Sequence, residues 1–563
     1  MLKSLLPYSK NSFKNSLVFY LLPISSIINP SKTLNISIHN LSQKYFSTRP
    51  SNNDPDHKSP LWKLFSDLSS QSQHNENSST LTKDSLELEL DQISILEKQN
   101  NYPKAQKKLL LLLIKASASP LQFDSFSLAS LVKKYAKLFY HQGNDIEALK
   151  YYQAALEVYS HNTTANRLKL ANSLADTYFE IAQIYEGLEE YTVAQNHFQK
   201  ALDLALKSFG EQDLNTARYY LGLGVNLSSQ GNLEKAVEYV NKALNIQTNL
   251  LGETSLELVK TYIELGMIYQ AWNKDDEALD VYQKTLYLLA EAPEGQEHDE
   301  DLANVYEFIG DIFTNERRWE DAATYFEEAA HVREEMSQQN GEKEPRRTLG
   351  NLFEKIAECQ IELQHYEKAK GNYIQALEHL REVFGEGSEE LLSSYHQVAN
   401  SAGLCGNYKE ALEYYQEGLN GYIEGKRKDE IKEDFEAITL YNMIGEMELK
   451  VGEYEKAIQN SEIVLEFYLN NRLYARTEEV YERIGRAYEK LGKNEEAKRV
   501  YYKALEEHLE YFGRDHPAVN KFHEVLKELY ERDEEIEKIE DLEKLMEKFP
   551  VVDSPASDAP FFK

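Results

Sequence analysis

The chain has 563 residues, 42% hydrophobic, 28% charged and 11% aromatic, a composition that fits either several globular domains or one long repeat array. Lys plus Arg number 62 against 94 Asp plus Glu, a formal charge of −32, so phosphate backbones and anionic headgroups are repelled and nucleic acid is excluded as the main partner. Two cysteines, Cys359 and Cys405, cannot build a disulfide framework or a four-thiolate zinc site, which leaves apolar burial to hold the fold.

Residues 1–53 contain no Asp or Glu, while Lys3, Lys10, Lys14, Lys32, Lys44 and Arg49 stand among Ser, Asn and scattered Leu and Phe. An acid-free, basic, Ser-rich leader on an acidic chain has the composition of an organelle transit peptide, assigned to residues 1–50. The stretch Gln43 to Arg49 resembles the aromatic-Ser end of mitochondrial presequences. Mitochondrion is therefore the expected location, plastid the alternative, and cytoplasm, with the leader a plain tail, the third reading. A secretory signal is disfavoured because the apolar run Leu17–Ile28 is broken by Pro23 and has no close small-x-small cleavage site. That run falls short of the roughly 20 residues a membrane span needs, and no other segment reaches it.

Residues 51–83, rich in Ser, Asn, Gln and His, read as a disordered linker. Residues 84–127 read as a degenerate helical pair. Eight of the fourteen prolines lie at or before Pro120 and four at or after Pro517, leaving only Pro293 and Pro345 between them, so that long stretch can be helical nearly throughout. Residues 516–549 are expected to form a polar capping helix and 550–563 a disordered tail.

Between the ends runs a repeat of about forty-two residues. An alanine followed four residues later by an aromatic and three later by a small residue recurs as Ala148/Tyr152/Ala155, Ala194/Phe198/Ala201, Ala322/Phe326/Ala329, Ala369/Tyr373/Ala376 and Ala497/Tyr501/Ala504. Weaker copies centre on Ala236, Ala278, Ala411 and Ala457. Twelve residues before each alanine stands another small residue: Ala136, Ala182, Gly224, Gly266, Gly310, Ala357, Ala399, Gly445 and Gly485. Small residues at matched heights let two antiparallel helices approach closely. Gly143, Gly231, Gly406, Gly452 and Gly492, seven past the small position, suit the helix C-terminus, where positive φ is favoured. One such pair buries too little surface to stand alone, so neighbours must stack.

These residues resemble the tetratricopeptide repeat over about 128–515, as nine consecutive units. The long spacing, and linkers such as Phe209-Gly210-Glu211, Leu251-Gly252-Glu253 and Phe384-Gly385-Glu386, resemble the kinesin light chain subgroup. The resemblance implies an all-α, right-handed solenoid of about nine hairpins with a C-terminal capping helix, serving as a non-catalytic scaffold for protein partners. Only about fifteen residues, Asp84 to Lys98, have an approximate amphipathic period, so the long coiled coil that precedes the repeats in kinesin light chains is missing. The alternative reading is nevertheless a cytosolic, light chain-like transport adaptor.

No catalytic constellation is present. Gly222-x-Gly224 lacks the third glycine and the preceding strand of a dinucleotide loop. The histidines, among them His141, His197, His365 and His396, have no metal-ligand spacing. Neither a cofactor nor a metal is expected, and the protein does not read as an enzyme. Candidate partner-binding residues are those three before and one after each small position on the first helix, which share a face. They include Phe179, Leu221, Val225, Ile263, Met267, Glu307, Asp311, Glu354, Glu358, Asn442 and Glu446, grading from apolar to acidic to mixed. A basic amphipathic protein segment would suit that surface. Two other readings stand beside it: residues 84–120 fill the groove, or the apolar side chains are buried between neighbouring helices.

Overall fold

The computed structural model describes residues 83–117, 125–161, 166–291, 298–340, 343–424 and 426–549; the expected transit peptide (1–50), the linker up to residue 82 and the C-terminal tail (550–563) lie outside the described residues. The described residues are all-helical, without a strand, and no helix among them is long and apolar enough to cross a membrane. They fall into two compact units, the first ending with the helix at Asp275–Ala290 and the second beginning with the helix at Asp299–Asn315. Within each unit consecutive hairpins stack on one another.

In the first unit the helices are α1 (Lys83–Lys98), α2 (Tyr102–Ser117), α3 (Ser125–His141), α4 (Asp145–His161), α5 (Arg167–Gly187), α6 (Tyr191–Ser208), α7 (Leu214–Ser229), α8 (Leu233–Leu251), α9 (Val259–Ala271) and α10 (Asp275–Ala290). The second has α11 (Asp299–Asn315), α12 (Trp319–Asn340), α13 (Lys343–Glu362), α14 (Tyr366–Phe384), α15 (Leu392–Leu404), α16 (Tyr408–Ile423), the short α17 (Lys428–Glu433), α18 (Phe435–Val451), α19 (Tyr454–Asn470), α20 (Thr477–Lys490), α21 (Asn494–Phe512), α22 (Pro517–Arg532) and α23 (Ile536–Glu547). Each small-residue/alanine pair lies on consecutive, mutually packed helices, here termed A and B.

The A-to-B turn repeats in detail. The residue seven past the small position is left-handed in all nine hairpins, at the five glycines and equally at Glu189, Asn273, Arg317 and Gln364. The next residue's N–H donates to the carbonyl four positions before that left-handed residue, from Asn144 to Phe139 through Lys493 to Tyr488, at 2.8–3.0 Å. This is a helix C-terminus closed by a left-handed residue. Asn100 and Glu534 make the same turn, Asn101 N–H donating to Leu96 and Glu535 N–H to Tyr530, both at 2.9 Å. Thus α1/α2 and α22/α23 are hairpins of the same construction.

The expected single capping helix is therefore corrected to a pair. The break at Asp533–Glu535 brings two carboxylates to Lys498 of α21, which is only 3% exposed, at 2.6 Å and 2.9 Å, with Glu495 at 3.0 Å. An unbroken helix would not supply both to a buried ammonium that must be paired. Pro345 does not interrupt the helical stretch: α12 runs to Asn340, α13 starts at Lys343, and Pro345 sits in its first turn, where the missing N–H costs nothing.

Packing follows the small residues. Every repeat alanine, from Ala136 and Ala148 to Ala497, is fully buried. At three of the five A-helix glycines the B-helix aromatic four past the alanine lies directly over it, Phe326 on Gly310, Tyr282 on Gly266 and Tyr501 on Gly485, while Val240 meets Gly224 and Ser461 meets Gly445. Ring against backbone replaces side chain against side chain, and this permits the close approach of the two helices.

Candidate functional site

The A helices carry the candidate binding residues, and neighbouring A helices interlock by a rule that the sequence pattern did not reveal. The residue three before one small position meets the residue two before the next. Lys133 of α3 lies 3.7 Å from Glu180 of α5, Glu307 of α11 lies 2.9 Å from Lys355 of α13, and the Asn442 side chain of α18 accepts from Arg483 of α20 at 2.8 Å. Phe179 of α5 occupies the space above Gly222 of α7, where a Cβ would stand 2.6 Å from its Cε2.

Several candidate residues are thereby removed from the open surface. Phe179 is 5% exposed, edge-on to Phe198 and roofed by the Arg218 guanidinium, and Ile263 is 2% exposed. Both are core, and for Phe179 the reason is the room that Gly222 leaves on α7. The acidic stretch is corrected as well. Lys355 bridges Glu307 and Asp311 at 2.9 Å and 2.7 Å, while the buried Arg333 reaches Asn304 at 2.6 Å and Glu307 at 3.4 Å. Burial would push the Glu307 carboxyl up, but Lys355 and Arg333 outweigh it and hold the group below its ordinary range. Burial pushes Asp311 upward. Asn442 is held by Arg483 through both its side chain and its backbone carbonyl. The signal for this interlock is a complementary residue 41 to 48 positions downstream.

What stays open is smaller. Leu221 is half-buried against the core of the first unit, and Val225 and Met267 are half-exposed on α7 and α9. In the second unit Glu354 accepts from Ser394 at 2.7 Å, Glu358 faces solvent, and Glu446 pairs with Lys450 one turn on at 2.8 Å. Desolvation pushes the half-buried Glu354 carboxyl upward, and Glu358, although open to solvent, is pushed up by the protein packed around it and further by Glu354. A cleft of about 270 Å³ opens beside Glu354, lined by Arg347, Asn351, Leu380, Phe384, Glu390, Ser393 and Ser394.

Two carboxyls in the first unit stand apart. Glu186 of α5 accepts from Asn226 of α7 at 3.3 Å, and burial pushes its carboxyl up to about 8, with Glu264 of α9 adding to the shift. Burial pushes Glu264 up to about 7, and its Oε2 is buried without a hydrogen-bond partner. His197, stacked on Tyr185, is pushed down to about 4 by burial and by Lys200. Burial pushes the Cys359 thiol up to about 11, and Cys359 and Cys405 are both free. Among the described residues no group of three or more His, Cys, Asp or Glu is arranged to hold a metal ion.

Hairpins of this register, turn and stacking define a helical repeat protein, and several of its segments are similar to the tetratricopeptide repeat. One tetratricopeptide repeat model matches residues 173–249, 226–291 and 348–424, and a second matches 477–518. No curated protein matches the chain. Among solved structures the chain is similar to BtubC (BKLC) from P. vanneervenii, at 20% identity over 43% of this chain and 92% of that one, with a TM-score of 0.36. It is similar to the apo form of RapI at 15% identity over 53% and 98%, TM-score 0.39. It is also similar to a putative kinesin light chain with nearly identical repeats from Podosopora anserina at 15% identity over 39% and 98%, TM-score 0.32.

Proposed function

We propose that the protein is a non-catalytic scaffold or assembly factor of the mitochondrion that holds protein segments against its A-helix faces. The observation that carries this reading is the row of half-buried apolar side chains, Leu221, Val225 and Met267, on the neighbouring A helices α7 and α9. Apolar groups left on such a face favour an extended or helical segment laid across it. The mitochondrial part rests on the acid-free basic leader, residues 1–50.

Each half has its own test. Incubated with energised mitochondria, the precursor should become protease-protected and lose an N-terminal segment ending near Arg49; an intact Met1 on the cytosolic protein overturns import. Cross-linking of the protein purified from its cells should join a partner to α7, α9, α13 or α15. Cross-links confined to B helices, or none, overturn the groove reading.

A further inference from the structure

The first unit leaves one junction chemically incomplete. Asp176 and Glu180 of α5 have Lys133 within 3.7 Å of each, and Asp176 also has Arg218 at 3.5 Å and the Tyr219 hydroxyl at 2.7 Å. Glu186, further along α5, and Glu264 on α9 have no cation among the groups that act on them. The junction rule sets Glu264, two before Gly266, against Leu221, three before Gly224. That combination is a carboxyl opposite an aliphatic side chain, where other junctions set Lys against Glu or Arg against Asn. Leu221 cannot satisfy it, and the Glu264 Oε2 remains buried and partnerless. The fully buried Asn226 donates to Glu186, and its own carbonyl oxygen accepts from Gln230 at 2.9 Å.

We infer that Glu186 and Glu264 receive a lysine or arginine side chain from a bound protein segment whose neighbouring apolar residues lie on Leu221, Val225 and Met267. This rests on the scaffold reading and names its partner's chemistry. A buried carboxyl short of positive charge and flanked by apolar side chains selects a cation on an aliphatic stem, because the stem buries while the head pairs. A free inorganic cation would leave the apolar positions uncovered. The upward pull on both carboxyls agrees, since a group awaiting its counter-charge holds its proton. The other titratable groups around Glu186 are Tyr140 of α3 and Tyr191 of α6, both pushed upward by burial first and further by Glu186, so neither supplies a charge.

The test uses the full chain and a fluorescein-labelled amphipathic helical peptide of about 15 residues with one lysine among the leucines of its apolar face, beside a twin carrying norleucine there. The lysine peptide should bind at least about tenfold more tightly near pH 7.5, and Glu186→Gln with Glu264→Gln should abolish that preference while leaving the twin's affinity unchanged. Calorimetry on the unsubstituted protein in buffers of different ionisation enthalpy should show protons released by the lysine peptide alone, because an arriving cation lowers both carboxyl pKa values; this readout does not depend on a variant folding. Equal binding of both peptides without proton release overturns the inference and leaves the scaffold reading standing. Binding of neither, while cross-links to a partner persist on other A helices, overturns it likewise. Absence of any cross-linked partner removes both.

Discussion

Gly310→Ala should destabilise the second unit although alanine is the better helix former. A Cβ on Gly310 would stand 2.5, 2.7 and 2.9 Å from three carbons of the Phe326 ring, against an ordinary carbon–carbon separation of about 3.5–4.0 Å. Phe326 is 1% exposed, so neither ring nor helix can retreat without disturbing α11, α12 and Lys355, which lies 5.1 Å over the ring. Overpacking of this kind costs about 1–3 kcal/mol, and the Gly-to-Ala gain in helix propensity returns about 1, leaving a net loss of up to about 2 kcal/mol. Gly371 in α14 is the control: nothing lies within 4 Å of its Cβ position, so Gly371→Ala should stabilise the same unit by about 0.5–1 kcal/mol. Amide exchange read by mass spectrometry is the proper assay, because stacked hairpins open piecemeal and a single melting curve blends them. Protection should fall in α11 and α12 for the first variant and rise in α14 for the second. Adding Phe326→Leu to Gly310→Ala should cost less than the two single changes summed. If Gly310→Ala stabilises as Gly371→Ala does, small residues are not what sets hairpin approach and the argument for the repeat's register fails.

Glu186 and Glu264 titrate near 8 and 7 when folded and near the ordinary carboxylate value when unfolded, so the folded chain keeps protons that the unfolded chain has released. Their contribution therefore falls as pH rises from about 4.5 to about 8, and the double Gln variant should be more stable than the parent by about 1–2 kcal/mol at pH 8 but not at pH 4, measured by urea unfolding. Lys498→Ala should cost about 1–3 kcal/mol and raise exchange in α22 and α23 first, because Asp533 and Glu535 lose the cation that fixes the break between those helices; unchanged exchange there would refute that role. Gln364→Gly should stabilise α13/α14 by about 0.5–1 kcal/mol, since Gln364 holds a left-handed backbone that costs a side-chain-bearing residue more than glycine; a loss of protection in that hairpin would count against the turn assignment.

Hairpin positions were legible because they rest on near-neighbours in sequence. A small residue, an alanine twelve on and a turn seven on are spacings that helix geometry alone interprets, and the four turns without glycine follow the same count. The junctions between hairpins were not legible. Whether Phe179 is open or buried depends on Gly222, 43 positions away, and whether Glu307 is an available acid depends on Lys355, 48 positions away. Reading three before and one after each small residue as a free surface assumed that a helix face is defined by its own residues, whereas half of that face belongs to the next helix. The C-terminal break was hidden for a related reason. The Asp533–Glu535 segment reads as an ordinary charged helix face until the buried Lys498 of the preceding hairpin is placed beside it.

The junctions also bear on where a partner can act. An interlocked pair such as Glu307 with Lys355 is poor bait: a visiting lysine would have to displace a cation already held by two carboxylates, gaining no charge pairing and losing one. A junction whose residues do not complement each other carries no such competitor, and its desolvation has already been incurred in folding. Recognition on a stacked-helix face should therefore concentrate where stacking chemistry is left incomplete rather than where acidic residues are most numerous. By that argument the second unit, with more carboxylates on its A helices, should contribute less to selectivity than the α5–α7–α9 face if the inferred lysine or arginine contact is right. Substituting Glu307 should then chiefly loosen α11 against α13, whereas substituting Glu264 should leave stacking intact and alter which segments are held.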